Sequence, residues 1–213
     1  MDIIFKRHGD PDYANDTLTP KGHEEAKLLA KFLADRPIDA IFQSPNGRAQ
    51  HTCEYTAKMK GIKPVTLEWL REVGIKRGEL YLWNAPGPLF LSDPSLPEYE
   101  ICLEPDGEMP EGKAQFEKVS KGFDEIMASF SYVKKGHLYK VESQNNKTIA
   151  FFAHHGVIVT LLSYLLHWPL PMIFVHTRID PTGLTLLTMA EHEGFAQPKM
   201  ITFNCLTHCQ NKV

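Results

Sequence analysis

Ile3-Ile4-Phe5-Lys6-Arg7-His8-Gly9, followed at once by Asp10-Pro11-Asp12, is an apolar run that ends on a cation, an imidazole and a glycine. A short apolar run bounded by turn residues reads as a buried strand, here residues 3–6. That order places Arg7 and His8 at the carboxyl end of the strand, where ligands sit in open α/β sheets. The same order recurs downstream, where Thr148-Ile149-Ala150-Phe151-Phe152-Ala153 runs into His154-His155-Gly156. The unbroken run at 149–153 is expected of a central strand buried on both faces. Two strand-to-His-to-Gly junctions in one chain point to two halves of one site.

The residues between them alternate in period. Thr19-Pro20 supplies an N-cap and a proline at the first helical position, and Ala26, Leu29, Ala30 and Leu33 recur at helical spacing. A helix is therefore predicted over 20–35, stopped by Asp35-Arg36-Pro37. A strand at 38–43 ends in the turn Ser44-Pro45-Asn46-Gly47. A second helix at 48–60 closes on Gly61, and a third strand is predicted at 65–69. This β-α-β-α-β order implies a largely parallel sheet with right-handed crossovers.

From 74 to about 110 the periodicity is lost among Pro86, Pro88, Pro94, Pro97 and Pro105, with Tyr81, Trp83, Phe90 and Tyr99 interleaved. A stretch of this kind reads as a lid or binding loop, the alternative being a packed surface excursion. Phe116, Val119, Phe123, Ile126, Met127 and Phe130 mark a long amphipathic helix, and 136–147 a polar loop or hairpin. A helix at 157–166 and two strands at 183–190 and 199–204 complete the chain. The predicted fold is α/β: a three-layer α/β/α sandwich with a mostly parallel sheet and one antiparallel edge strand. It forms one domain over 1–213 with an insertion at about 74–147.

Composition narrows the function classes. The chain has 213 residues, 43% hydrophobic and 23% charged, as in an ordinary globule with a real core. A net charge of −3 argues against a nucleic-acid binder held by bulk electrostatics, so an anionic ligand needs a local cluster of cations. Met1-Asp2 leads into a strand without a basic and apolar leader, and no apolar stretch approaches the ~20 residues of a membrane span. A cytoplasmic protein without membrane or nucleic-acid partners is expected. Cys53, Cys102, Cys205 and Cys209 do not make a disulfide scaffold. Cys205-Leu206-Thr207-His208-Cys209 has the wrong spacing for a zinc knuckle and lacks a second pair, so the thiols are read as reduced and structural. His23-Glu24-Glu25 is not a zinc motif and reads as a solvated helix face; His51 is assigned no role.

Four motifs carry chemistry, in this order: Arg7-His8-Gly9, Ser44-Pro45-x-x-Arg48-Ala49, Leu70-Arg71-Glu72 and His154-x-Gly156. Each alone is ordinary: one histidine near a strand end is usually structural, one arginine at a helix start is usually solvated, and one glutamate is usually an exposed carboxylate. Jointly they resemble the histidine phosphatase superfamily, also called phosphoglycerate mutase-like, from the first strand through the helix after His154 but not across the insertion. The resemblance implies that His8 is the nucleophile and forms a phosphohistidine. It implies that Glu72 is the general acid and that His154 binds the phosphate. His155 stands where the family often has glycine, and its amide is a candidate phosphate contact. Asp10-Pro11 departs from the family pattern. The family's phosphate-holding asparagine would fall at Ala14, leaving Asn15, one step displaced, as a candidate ligand.

Physical chemistry supports the same roles. Phosphoryl transfer depends on positioning and charge stabilisation, and arginine forks match phosphate oxygens. Arg7 and Arg48 supply two such forks. An attacking imidazole must be neutral, its other nitrogen a donor to some acceptor, and nearby guanidinium cations disfavour its protonation. His154 would act as cation or donor, and Glu72 needs a raised pKa through partial burial. The expected activity is metal-independent hydrolysis of a small phosphorylated metabolite, without cofactor. A phosphoglycerate-type mutase needs more cations around a second phosphate. Beyond Lys76 and Arg77 the insertion is acidic (Asp93, Glu98, Glu100, Glu104, Asp106, Glu108, Glu111), which favours a substrate with one phosphate and a less anionic remainder. A binding protein that has lost catalysis is the third reading. Oligomeric state stays open, a homodimer included.

Overall fold

A computed structural model describes residues 1–74, 76–77, 80–81 and 110–210. Strand β1 (Asp2–Arg7) leads into the two-residue strands β2 (Pro11–Asp12) and β3 (Thr17–Leu18), then helix α1 (Pro20–Leu33), β4 (Ala40–Gln43) and α2 (Gly47–Lys60). Next come β5 (Val65–Thr66), a 3-10 turn (Glu68–Leu70), the short pair β6 (Lys76–Arg77) and β7 (Leu80–Tyr81), and α3 (Pro110–Ser129). The hairpin β8 (Tyr132–Lys135) and β9 (Leu138–Val141) precedes β10 (Thr148–Ala153) and α4 (His155–Leu166). Helix α5 (Leu170–His176), strands β11 (Leu184–His192) and β12 (Phe195–Cys205), and α6 (Thr207–Gln210) follow.

The main sheet has eight strands in the order β5-β4-β10-β1-β11-β12-β9-β8. From β5 to β1 the pairs are parallel, and from β1 to β8 they are antiparallel. Strand alternation sends Ile3 and Phe5 to one face, with Phe123, Phe151 and Val157, and Ile4 to the other, with Leu29, Leu33, Cys53 and Phe152. Helices α3 and α4 cover the first face, α1 and α2 the second. The α/β class, the three layers and the parallel centre are as expected from the sequence.

Local signals act as their chemistry requires. The Thr19 side chain accepts from the Gly22 amide at the start of α1, and Gly61 ends α2 at φ 65, a left-handed geometry that favours glycine. Three expectations need correction. The antiparallel portion is four strands rather than one edge strand. The strand predicted at 65–69 keeps only Val65 and Thr66: it is the sheet edge, Val65 is 51% exposed, and the chain turns instead to bury Leu70 completely. The loop or hairpin predicted at 136–147 is a hairpin with other bounds: β8–β9 starts at Tyr132, where Tyr132 and Tyr139 are fully buried on the α3 side, and ends at Val141, leaving 142–147 as loop. Residues 82–109, on which the lid expectation and most of the acidic residues fall, lie outside the described residues. No described helix is long and apolar enough to cross a membrane.

Candidate active site

Register explains how two distant motifs meet. β1 and β10 pair in parallel with Arg7 opposite Ala153, and β10 pairs with β4 with Phe152 opposite Gln43. His8, His154 and Ser44 therefore leave three adjacent strands at the same end. The His8 amide donates to the Ala153 carbonyl at 3.0 Å and the Ser44 amide to the Phe152 carbonyl at 2.9 Å. The two imidazole centroids are 5.2 Å apart.

His8 is buried, and its Nδ1 lies 2.8 Å from the Gly9 carbonyl oxygen. A carbonyl can only accept, so Nδ1 carries the hydrogen and Nε2 the free lone pair. Burial, helped by the Arg7 and Arg48 charges, pushes its pKa down to about 3. His154 is buried too, and is pushed to about 2 by burial first and then by His8, Arg48 and Arg7. It is neutral, so of the two expected roles, cation or donor, only the donor fits this state. Its Nε2 pairs with the Ser44 hydroxyl at 2.8 Å, and its Nδ1 has no partner among the described residues.

Arg7 donates from Nη1 to the Ile179 carbonyl at 2.6 Å, and Arg48 from Nη1 to Asp16 Oδ1 at 2.6 Å. The buried Nε of each guanidinium lacks a partner among the described residues. An unsatisfied buried donor costs about 1–3 kcal/mol, so these nitrogens favour an anionic acceptor. The ring of Tyr13 packs on Arg48, with 5.4 Å between the guanidinium carbon and the ring centroid, and meets His8 edge-on.

Glu72 is enclosed apart from a face on the cavity. Burial raises its pKa, against the lowering effect of two amides and the two guanidiniums. The direction is the one general-acid chemistry requires. Its Oε1 accepts from the Val73 amide at 3.0 Å and the Val157 amide at 3.3 Å, which leaves Oε2 for a proton.

Arg7, Arg48, Glu72 and His155 line a cavity of about 640 Å³, together with Tyr13, Phe174, Thr177 and Arg178. The side chain of His155 thus reaches the site. Burial and the Arg7 and Arg178 charges bring its pKa to about 4. Asn15 does not join the group: it is exposed and donates to the Asp12 carboxylate at 2.8 Å. The segment His23-Glu24-Glu25 is not simply solvated. Glu25 is buried and accepts from the Asp10 amide at 2.9 Å, and His23 bonds the Tyr55 hydroxyl. His51 pairs with the Thr17 hydroxyl at 2.8 Å. Cys53, Cys205 and Cys209 are free thiols, and no group of three metal-ligating side chains occurs among the described residues. Sequence reasoning missed Tyr13, Asp16 and the 174–178 segment. The only local signal for the last was the closely spaced pair Arg178 and Asp180.

Residues 3–81 match the family profile of the histidine phosphatase superfamily (branch 1). A candidate phosphoserine phosphatase of Hydrogenobacter thermophilus is 26% identical over 210 residues, covering 96% of this chain and 89% of that protein. Among solved structures, the fold is shared with the phosphoserine phosphatase of Entamoeba histolytica in complex with 3-phosphoglyceric acid. That match has a TM-score of 0.64 at 22% identity and covers 97% of this chain and 98% of that one. A mycobacterial glucosyl-3-phosphoglycerate phosphatase in complex with VO3 matches with a TM-score of 0.67 at 18% identity, covering 96% and 99%.

Proposed function

We propose that this chain, whose residues 3–81 match the histidine phosphatase profile, is a metal-independent phosphomonoester hydrolase of that superfamily, acting on a small phosphorylated metabolite through a phosphohistidine. The observation that carries this reading is the Nδ1 contact of His8 with the Gly9 carbonyl, which presents a neutral Nε2 lone pair beside Arg7 and Arg48. The relatives named for phosphoserine and for glucosyl-3-phosphoglycerate are both named for phosphomonoesters, which suits the same chemistry.

In the first step His8 Nε2 attacks phosphorus, the bond from phosphorus to the ester oxygen breaks, and Glu72 gives its Oε2 proton to the leaving alkoxide. In the second, the Glu72 carboxylate takes a proton from water, the water oxygen attacks phosphorus, and the nitrogen–phosphorus bond breaks. Inorganic phosphate and neutral His8 result. Arg7, Arg48 and, in its Nδ1–H tautomer, His154 stabilise the charge on the equatorial oxygens. Two guanidiniums supply the neutralisation that a metal ion supplies elsewhere.

The test is turnover of p-nitrophenyl phosphate in the presence of a chelator, with His8→Ala as control, and alkaline-quench trapping of label on the peptide carrying His8. Chelator-resistant turnover, an inert variant and acid-labile, alkali-stable label are expected. Turnover abolished by chelation and restored by a divalent ion would overturn the metal-free mechanism. Tight phosphate binding without turnover would support a binding protein, and phosphoglycerate interconversion faster than phosphate release a mutase.

A further inference from the structure

We propose that Arg178 and the Nε2–H of His155 form a second anion subsite for a carboxylate, making the preferred substrate a phosphorylated small carboxylic acid. The inference rests on the phosphatase reading and names its substrate class.

One loop ties the two subsites together. The Ile179 carbonyl accepts from Arg7 Nη1 at 2.6 Å, and the Ile179 amide donates to His155 Nδ1 at 3.4 Å. The His155 hydrogen therefore sits on Nε2, the nitrogen left to donate. On either side of Ile179, the Arg178 Nε donates to Asp180 Oδ1 at 2.7 Å, and the paired Nη edge has no hydrogen-bond partner among the described residues. Asp180 is clamped by Asn204: its amide donates to Asn204 Oδ1 and its Oδ2 accepts from Asn204 Nδ2, both at 2.9 Å. Gly183 permits the clamp, because a Cβ there would lie 2.1 Å from Asn204 Oδ1. The same three residues thus brace the phosphate arginine, orient His155 and carry Arg178. The spacing between the subsites is held by backbone rather than by a free side chain.

Charge decides the ligand. Arg7 and Arg178 are the cations that bear on His155, with the Asp180 carboxylate acting against them, and all but Asp180 line the same cavity. After Arg7 and Arg48, Arg178 is the one further cation among the described lining residues; Tyr13, Phe174, Val175 and Thr177 are neutral. The Thr177 hydroxyl is spent on the Ile173 carbonyl. A guanidinium whose charge is partly offset by Asp180, with one neutral imidazole, suits a monoanion that takes a bidentate contact, a carboxylate, rather than a second phosphate dianion. As a structural ion pair Arg178–Asp180 has little value, since the arginine side chain is 82% exposed.

The experiment compares matched pairs that differ by the carboxylate: O-phosphoserine against O-phosphoethanolamine, and 3-phosphoglycerate against glycerol 3-phosphate. Wild type should favour the acid of each pair by about 10-fold or more in kcat/KM. Arg178→Ala should erase that preference through KM, with kcat for the acid changed far less, and Arg178→Lys should restore part of it. No preference in wild type, or an equal KM rise for both members of a pair, would overturn the subsite. Calorimetric binding of the same pairs to His8→Ala reads the preference without turnover, so it separates failure of the subsite from failure of the phosphatase reading. Tighter binding of the acid is expected, and equal binding overturns the proposal.

Discussion

A methyl group on Gly156 would lie 2.7 Å from Glu72 Oε1 and 2.7 Å from the Val73 carbonyl oxygen. The first turn of α4 and the acid carboxyl are in contact with no room for a side chain between them. In an open helix, Gly→Ala is favourable by about 1 kcal/mol. Here a backbone oxygen stands in the way, so Gly156→Ala is expected to destabilise by about 1–3 kcal/mol and to displace Glu72. Activity should fall by about 10²-fold in kcat, as misplacing a catalytic group does. Steady-state kinetics beside urea unfolding checks this; a variant of normal kcat would contradict the tight coupling of the two residues.

Asp16 is the orienting partner of Arg48. Its Oδ2 also accepts from the Gly47 amide at 2.8 Å, at the start of α2. Asp16 has φ 47, which asparagine tolerates well, so Asp16→Asn tests charge without adding backbone strain. The pair is partly screened, with Asp16 44% exposed, so the loss is set at about 10-fold in kcat/KM rather than at the value of a buried pair. Inorganic phosphate should also inhibit the variant more weakly. Unchanged kinetics and unchanged phosphate inhibition would show that Arg48 is held without Asp16.

The strand ends were legible because they rest on local patterns. Two apolar runs fix β1 and β10, Thr19-Pro20 and Gly61 mark helix ends, and the motif order brings Arg7, His8, Arg48, Glu72 and His154 toward one end of the sheet. What was not legible depends on partners far apart in the chain. Asp16 lies 32 residues from Arg48, and nothing in its own neighbourhood distinguishes it from a turn residue. Arg178 faces the cavity only because Asn204, beyond a whole strand, holds Asp180. Val65 and Thr66 have strand-forming side chains, yet at a sheet edge without core contact the strand stops after two residues. Asn15 shows the opposite error: a family position carried one step along lands on an Asx turn closed by Asp12.

His8 should remain neutral to about pH 3 in the folded protein, against 6.5 for a free imidazole. Imidazole NMR on a histidine-labelled sample reads this directly. The stability consequence has a definite sign. Between 6.5 and about 3 the unfolded chain binds a proton that the native state does not, so stability falls as pH falls, by up to about 1.4 kcal/mol per pH unit from this group. His8→Asn removes that contribution. The variant should therefore gain on wild type as pH is lowered from 7 to 5, measured by urea unfolding at each pH. Parallel pH dependences of the two proteins would contradict a buried neutral His8.

Lys6 directly precedes the arginine of the first motif, yet it lies on the other face of β1, with Ile4. It is fully buried, and its Nζ has no partner among the described residues. Burial lowers its pKa well below the usual lysine range. Folding must desolvate the ammonium or strip its proton, while the unfolded chain keeps the proton until about pH 10.4. Within that window the unfolded state binds the extra proton, so the penalty from Lys6 shrinks as pH rises. Methionine has nearly the same length and no charge, so Lys6→Met should stabilise the protein by about 1–3 kcal/mol at pH 7, with the gain fading toward pH 10. Urea unfolding at the two pH values tests it. Turnover should change little, because the substituted side chain lies toward Cys205 and Cys209 and does not line the cavity. Destabilisation at pH 7 would mean that the Lys6 amine is satisfied in solution, by a buried water or by closer approach of the Cys205 sulfur.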